Sequence, residues 1–322
     1  MLRVKLRGGL GNQLFQLSVG LYISHKTKTD YTVDTDYINN QIPEIAKFGF
    51  ISEDKFTNKN IFLDRIYRTK TNNRHNSKQW EKKFEALRIK TGEMYTDPKD
   101  LNNYSISISR INRIRCVRGW FQTQVYANSL KNYGINLNSM NLANISEKLV
   151  HCKKITNHKI NNEVISLNYL TDETTIVIHV RCYEKELSSS IGILSDEYYI
   201  NAIKKMLDNI QLSKGSVTHI SSLLIISDNK DRANILAKKL SNIFRFNIIM
   251  LGEQTFDDSQ IAFIILSNAK NMIMSNSTFS WWAAYIGNNK SVIIVPNKWY
   301  NNSLFSNGIY LNDWVSVESN WI

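Results

Sequence analysis

The chain has 322 residues, with 40 Lys or Arg against 28 Asp or Glu and a formal net charge of +12. Apolar residues at 43% and charged residues at 21% supply core material for about two domains and exclude a disordered chain. Three prolines and 13 glycines exclude collagen-like and proline-rich classes; three cysteines (Cys116, Cys152, Cys182) with no C-x-x-C spacing exclude a disulfide scaffold or zinc ribbon and fit a reducing compartment.

The opening segment reads as strand, glycine turn, helix. Val4 and Leu6 alternate with Lys5 and Arg7 at the strand period, Gly8, Gly9 and Gly11 interrupt it, and Leu14, Phe15, Leu17, Leu21 and Tyr22 follow at helical spacing. Tyr31 to Asp34 is the next predicted strand. Residues 50–105 are polar, basic and irregular, with a helical stretch over Lys82 to Ile89.

A second unit is predicted to begin near Thr171. Thr174 to Val180 is a continuous β-branched run, the pattern of a strand buried on both faces. A helix over Tyr198 to Ile210, a strand over Leu223 to Ile226 and a helix over Arg232 to Leu240 follow. Strands at Asn247–Leu251, Asn271–Met274 and Ser291–Val295 then alternate with helices at Ile261–Ser267 and Phe279–Ile286. This alternation implies α/β architecture with mainly parallel sheets covered by helices. The boundary is expected in the polar, Asn-rich stretch 141–170, giving lobes 1–170 and 171–322.

Three segments carry chemistry. Arg7 to Gln16 places glycines and a helix start straight after a strand, which fits a phosphate cradle and a tight structural turn equally well. It lacks the last glycine of G-x-G-x-x-G and the Gly-Lys-Ser/Thr of a P-loop. His179-Val180-Arg181 ends a buried strand, where open α/β sheets place ligands and where an arginine can grip a pyrophosphate. A histidine there also fits a hydrogen-bonded core role. Ser275-Asn276-Ser277-Thr278-Phe279-Ser280 gathers hydroxyls at a strand-to-helix junction, more than one cap requires. Asp34-Thr35-Asp36 looks like a metal-holding D-x-D without further ligands, and no H-E-x-x-H, G-x-S-x-G or His/Cys cluster occurs.

Together the segments resemble glycosyltransferase family 11, the bacterial and animal α-1,2-fucosyltransferases. The matching stretches are Gly8 to Gln16, Gly119-Trp120-Phe121-Gln122, His179-Val180-Arg181, Gly192 to Ser195 with Tyr198-Tyr199, and Ser227-Asp228. Ser275 to Ala284, Pro296 to Tyr300 and Asp313-Trp314-Val315 complete them. The resemblance implies a GT-B-like fold, two Rossmann-like lobes with a cleft between them, and inverting, metal-independent transfer of L-fucose from GDP-β-L-fucose to the 2-hydroxyl of a galactose-type acceptor. No cofactor is implied. Arg181 would neutralise the departing diphosphate, with Glu184 as base and Glu186 as its alternative. His179, Gly9, Gly11, Asn12, Gln13, Asp228, Ser275, Asn276, Ser277 and Thr278 would bind the donor. The sequence departs from the family pattern His-x-Arg-Arg-x-Asp at Cys182 and Glu184. Ala262 stands where the family tends to carry an Asp, with Asp257 and Asp258 one turn upstream.

The charge is localised. Residues 47–118 hold 17 Lys or Arg against 8 Asp or Glu, a net of +9. A solvated surface or an anionic partner accounts for such a cluster. No helix-turn-helix, RRM or zinc-finger signature supports nucleic acid, so the expected contact is anionic lipid beside a lipid-linked oligosaccharide acceptor. With no stretch of ~18 apolar residues and no apolar signal region, a cytoplasmic protein, peripheral on the inner face of the membrane, is expected.

Overall fold

The computed structural model describes residues 1–35, 44–47, 50, 55–57, 93–97, 105–133, 149–156, 159–183, 191–214, 219–252, 258–287, 290–301 and 308–322. The chain divides into two compact units, Met1–Met140 and Asn141–Ile322.

The first unit is built on a five-stranded sheet of order β3-β2-β1-β5-β4. Its strands are β1 (Leu2–Lys5), β2 (Tyr31–Asp34), β3 (Phe56–Thr57), β4 (Glu93–Tyr95) and β5 (Ile114–Val117), and every pairing is parallel. Helix α1 (Leu10–Thr27) lies against it, with Leu14, Phe15, Leu17 and Leu21 buried. Contact is close because Gly20 faces β1: a Cβ there would lie 2.3 Å from Val4 Cγ2. Short helices α2 (Glu44–Lys47), α3 (Ile108–Ile111) and α4 (Ala127–Tyr133) complete the described part. Strands leave β1 on one side to β2 and β3 and on the other to β5 and β4, so the order reverses between β1 and β5.

The second unit carries an eight-stranded sheet, β13-β12-β11-β8-β9-β10-β6-β7. The strands are β6 (Leu149–Thr156), β7 (Lys159–Ser166), β8 (Thr175–Val180), β9 (Ser222–Ser227), β10 (Asn247–Leu251), β11 (Asn271–Ile273), β12 (Val292–Pro296) and β13 (Val315–Val317). Strands β8 to β13 pair in parallel, with β8 and β9 buried at every position, as the unbroken apolar runs require. Helices α5 (Leu167–Thr171), α6 (Asp196–Lys214), α7 (Lys230–Ile243), α8 (Ser259–Asn268) and α9 (Thr278–Ile286) alternate with them. Read from β10, the order β10-β9-β8-β11-β12-β13 is that of a doubly wound nucleotide-binding sheet, with its switch point between β8 and β11. Two parallel-sheet α/β units are what the GT-B-like expectation requires.

The division falls earlier than the 170/171 boundary read from sequence. Strands β6 (Leu149–Thr156) and β7 (Lys159–Ser166) pair antiparallel, and β6 pairs with β10 (Ile155 with Ile248, Cys152 with Leu251), so they belong to the second sheet. Their outer strand alternates poorly, with Lys159, Ile160, Asn161 and Asn162 all exposed, which is why it reads as linker. The predicted helix over Lys82–Ile89 and most of the basic region lie outside the described residues.

Candidate active site

The switch point of the second unit assembles two of the predicted segments. Val180 pairs with Ser227 at the carboxyl ends of β8 and β9, and the next residues, Arg181 and Asp228, form an ion pair through Arg181 Nη1 and Asp228 Oδ2. Asp228 Oδ1 also accepts the backbone N–H of Cys182 at 2.8 Å. Asp228, expected to bind donor, is thus engaged in fixing the arginine and its loop. Arg181 keeps 40% of its side chain exposed, and its guanidinium lies 5.2 Å from the centre of the Tyr183 ring. Tyr183, which the sequence reading passed over, donates its hydroxyl to the backbone oxygen of Asn276 at 2.6 Å. Burial pushes its phenol well above the usual range, so it remains a neutral donor linking the β8 and β11 loops.

His179 makes the second link across the switch. It is buried, and its Nδ1 lies 3.1 Å from Ser275 Oγ, with its ring 5.9 Å from Phe279. Burial, with the Arg181 charge adding to it, pushes its pKa down to about 3. The imidazole is therefore neutral near pH 7, holding Ser275 and the start of α9.

Asn276 is engaged on one side of its amide. Its Nδ2 donates to the oxygens of Ile191 (3.2 Å), Gly192 (3.1 Å) and Trp299 (3.3 Å) in a fully enclosed position. The Nδ2 group stitches the loops before α6 and after β12, while the buried Oδ1 has no hydrogen-bond partner among the described residues. Ser277 sits at the N-cap of α9 but makes no side-chain capping bond, and Thr278 is half-exposed at the first helical position. Their hydroxyls, with the first-turn N–H groups of α9, form an electropositive helix start near the loop that Tyr183 ties to Asn276. The helix is fixed by its own apolar face: Trp281 and Trp282 are completely buried, each worth up to about 4–6 kcal/mol of transfer free energy. Ala262 lies buried in α8, and Asp258 caps that helix, its Oδ1 accepting from Gln260 N and Ile261 N, each at 3.0 Å. Asp257, Glu184 and Glu186 lie outside the described residues.

In the first unit the glycine segment stands at the β1/β5 switch. Gly8 adopts φ +73°, and a Cβ there would come within 2.7 Å of Asn12 Nδ2, so the turn demands glycine. Gly9 is exposed with open space around it, whereas Gly11 is buried in the first turn of α1. Asn12 Oδ1 accepts from Gln122 Nε2 at 2.9 Å. Gln13, expected at the donor, is buried, its Nε2 donating to Gly8 O (2.8 Å) and its Oε1 accepting from Ile45 N (3.2 Å); it serves the turn. Gln16 Nε2 reaches Gly119 O at 3.1 Å, tying α1 to the loop after β5. That loop hangs on Asp97, whose carboxylate oxygens accept Trp120 N and Phe121 N, both at 2.7 Å. Phe121 has φ +50°, a conformation costing a bulky L-residue roughly 1–2 kcal/mol, and is fully buried against Tyr95. No local pattern could single out Asp97, because its partners lie 23 and 24 residues away.

Among the described residues no three His, Cys, Asp or Glu side chains gather as a metal-binding group. Asp34 of the D-x-D is fully buried in β2, 4.0 Å from Arg3. No helix among the described residues is long and apolar enough to cross a membrane.

The profile of Glycosyl transferase family 11 matches residues 1–318. The chain belongs to glycosyl transferase family 11. A relative from Escherichia coli, the O-antigen biosynthesis glycosyltransferase WbnK, is 22% identical over 97% of this chain and 99% of its own length. Among solved structures, NodZ α-1,6-fucosyltransferase soaked with GDP-fucose is similar at TM-score 0.40 and 11% identity, covering 88% of this chain and 91% of that one. An Arabidopsis thaliana FUT1 variant in complex with GDP is similar at TM-score 0.44 and 12% identity, covering 91% of this chain and 69% of that one. In this family 11 chain Arg181, Asp228, His179, Ser275, Ser277 and Thr278 lie around one sheet switch, and Gly9 and Asn12 lie at the other.

Proposed function

We propose that this family 11 glycosyltransferase moves L-fucose from GDP-β-L-fucose to the 2-hydroxyl of a galactose-type acceptor, with inversion and without a metal, in surface polysaccharide or O-antigen synthesis. The observation that carries it is Arg181, fixed by Asp228 at the carboxyl end of β8, where a doubly wound sheet takes a nucleotide diphosphate. The acceptor oxygen attacks the anomeric carbon, the bond from that carbon to the β-phosphate oxygen breaks, and its electron pair leaves with GDP. Arg181 and the α9 N-terminus stabilise the negative charge that gathers on the phosphate. The acceptor proton passes to a base, for which Glu184 is the candidate and Glu186 the alternative. The O-antigen role is supported by the relative WbnK, the donor and reaction by the motifs shared with the family. A lipid-linked acceptor and an anionic membrane contact through the basic region 47–118 belong to the same reading.

A different nucleotide sugar is the second reading, favoured by the buried Ala262 and by the commitment of Asp258 to capping α8. Purified protein in EDTA with GDP-fucose and lactose is expected to yield an α-1,2-fucoside, and Arg181→Ala to lower kcat by about 10²–10³ as for loss of one charge-stabilising donor. Turnover with another nucleotide sugar and none with GDP-fucose would establish the second reading instead.

A further inference from the structure

We propose that Trp120 is the stacking platform for the acceptor's galactose-type ring, an inference that rests on the fucosyl-transfer reading above. Trp281, Trp282, Trp299 and Trp314 are buried, while Trp120 is 41% exposed, at the carboxyl end of β5 beside the β1/β5 switch. It is held there. Asp97 grips the backbone N–H of Trp120 and of Phe121. Phe121, in its left-handed conformation, turns inward to full burial. Gly119 leaves room for both, since a Cβ there would meet Asp97 Oδ2 and the Phe121 ring at 2.7 Å. Backbone strain of this kind clusters at ligand clamps, and here it fixes the residue next to an exposed indole.

The indole is also prepared. The Arg7 guanidinium stacks 3.9 Å from its ring centre, fixing one side of the ring. Its Nε1–H has no hydrogen-bond partner among the described residues. Around it stand hydrogen-bonding and open groups: the Asn12–Gln122 amide pair, Gly8 at the ring edge (3.2 Å from a built Cβ to Cζ3) and the open Gly9. A flat aromatic surface with an N–H unpaired among the described residues, beside one amide pair, suits the C–H face and hydroxyl rim of a pyranose. A protein or lipid partner would ask instead for a contiguous apolar patch.

The test uses two readouts. In ¹⁵N-labelled protein the indole cross-peak absent from Trp120→Phe is followed while lactose is added without donor. It is expected to move saturably while the peaks of the buried Trp281 and Trp282 stay in place; a fixed Trp120 peak overturns the proposal. In steady state, Trp120→Ala is expected to raise the lactose KM about tenfold, leaving the GDP-fucose KM and donor hydrolysis unchanged, with Trp120→Phe, which keeps the ring face and loses the N–H, between the two. An unchanged lactose KM, or equal loss of transfer and hydrolysis, overturns it. If lactose moves the peak but wild-type protein transfers no fucose, the fucosyl reading fails and the sugar platform stands.

Discussion

Replacing Asp228 by Asn removes one charge while keeping an acceptor for Cys182 N, so it isolates what the Arg181–Asp228 pair does. The two side chains are 40% and 31% exposed. Screening at that exposure limits the pair's contribution to stability to about 1 kcal/mol or less, a fall in Tm of about 1–2 °C at ~2.1 cal/mol/K of unfolding entropy per residue. The effect on turnover is larger, because a guanidinium displaced by about 1 Å can cost up to about 10²-fold in rate. Asp228→Asn is therefore expected to lower kcat about 10- to 100-fold, with the donor KM within about threefold of wild type, measured by GDP release. If Asp228 acts through Arg181, the double variant with Arg181→Ala loses no more than Arg181→Ala alone. Multiplying losses, or a donor KM that rises with kcat unchanged, would refute the positioning role and put the Asp228 carboxylate on the donor itself.

Asn276→Ala removes the side-chain donor from the enclosed carbonyls of Gly192 and Trp299, while Ile191 O keeps Asn301 N–H, and is expected to cost about 2–3 kcal/mol, read as a lower urea midpoint, with the donor KM unaltered in the folded fraction. Unaltered stability with a raised donor KM would return the amide to the donor site. The His179 pKa, held near 3 by burial against about 6.5 in the unfolded chain, means that between those values the unfolded state binds a proton the native state does not. Stability contributed by neutral His179 is thus complete above about pH 6.5 and falls on acidification toward pH 3, by up to about 1.4 kcal/mol per pH unit. His179→Gln is expected to flatten the pH dependence of urea unfolding between pH 4 and 6 by about one proton; an unchanged slope would show the imidazole is not buried neutral.

The alternation of strand and helix was legible because it rests on local period. Asn247–Leu251 is a strand as read, and Thr175–Val180 of the run read at 174–180 is buried throughout as β8. The glycine turn after β1 and the hydroxyl-rich start of α9 were legible for the same reason, since each is a short segment whose residue types answer a backbone need. The hairpin β6–β7 escaped, because its place is set by antiparallel pairing with β10, nearly a hundred residues on in the chain, and a polar exposed face hides the strand period.

The sequence by itself determined that this is a two-part α/β protein of mainly parallel sheets, with a glycine loop, a strand-end arginine and a hydroxyl cluster as its chemical segments. Tertiary structure alone decided which of those side chains are tied to other segments of the scaffold. Gln13 carries the same amide chemistry as a ligand-binding residue, but both ends of its amide are engaged by a carbonyl and an N–H of other segments, and the Asn276 Nδ2 is likewise taken by three carbonyls. Asp228 is tied to Arg181, and Asp97 holds Trp120 out while Phe121 turns in. The reason is that hydrogen bonds and ion pairs are satisfied by whatever the fold brings within 3 Å or so, and a sequence period carries no record of that partner.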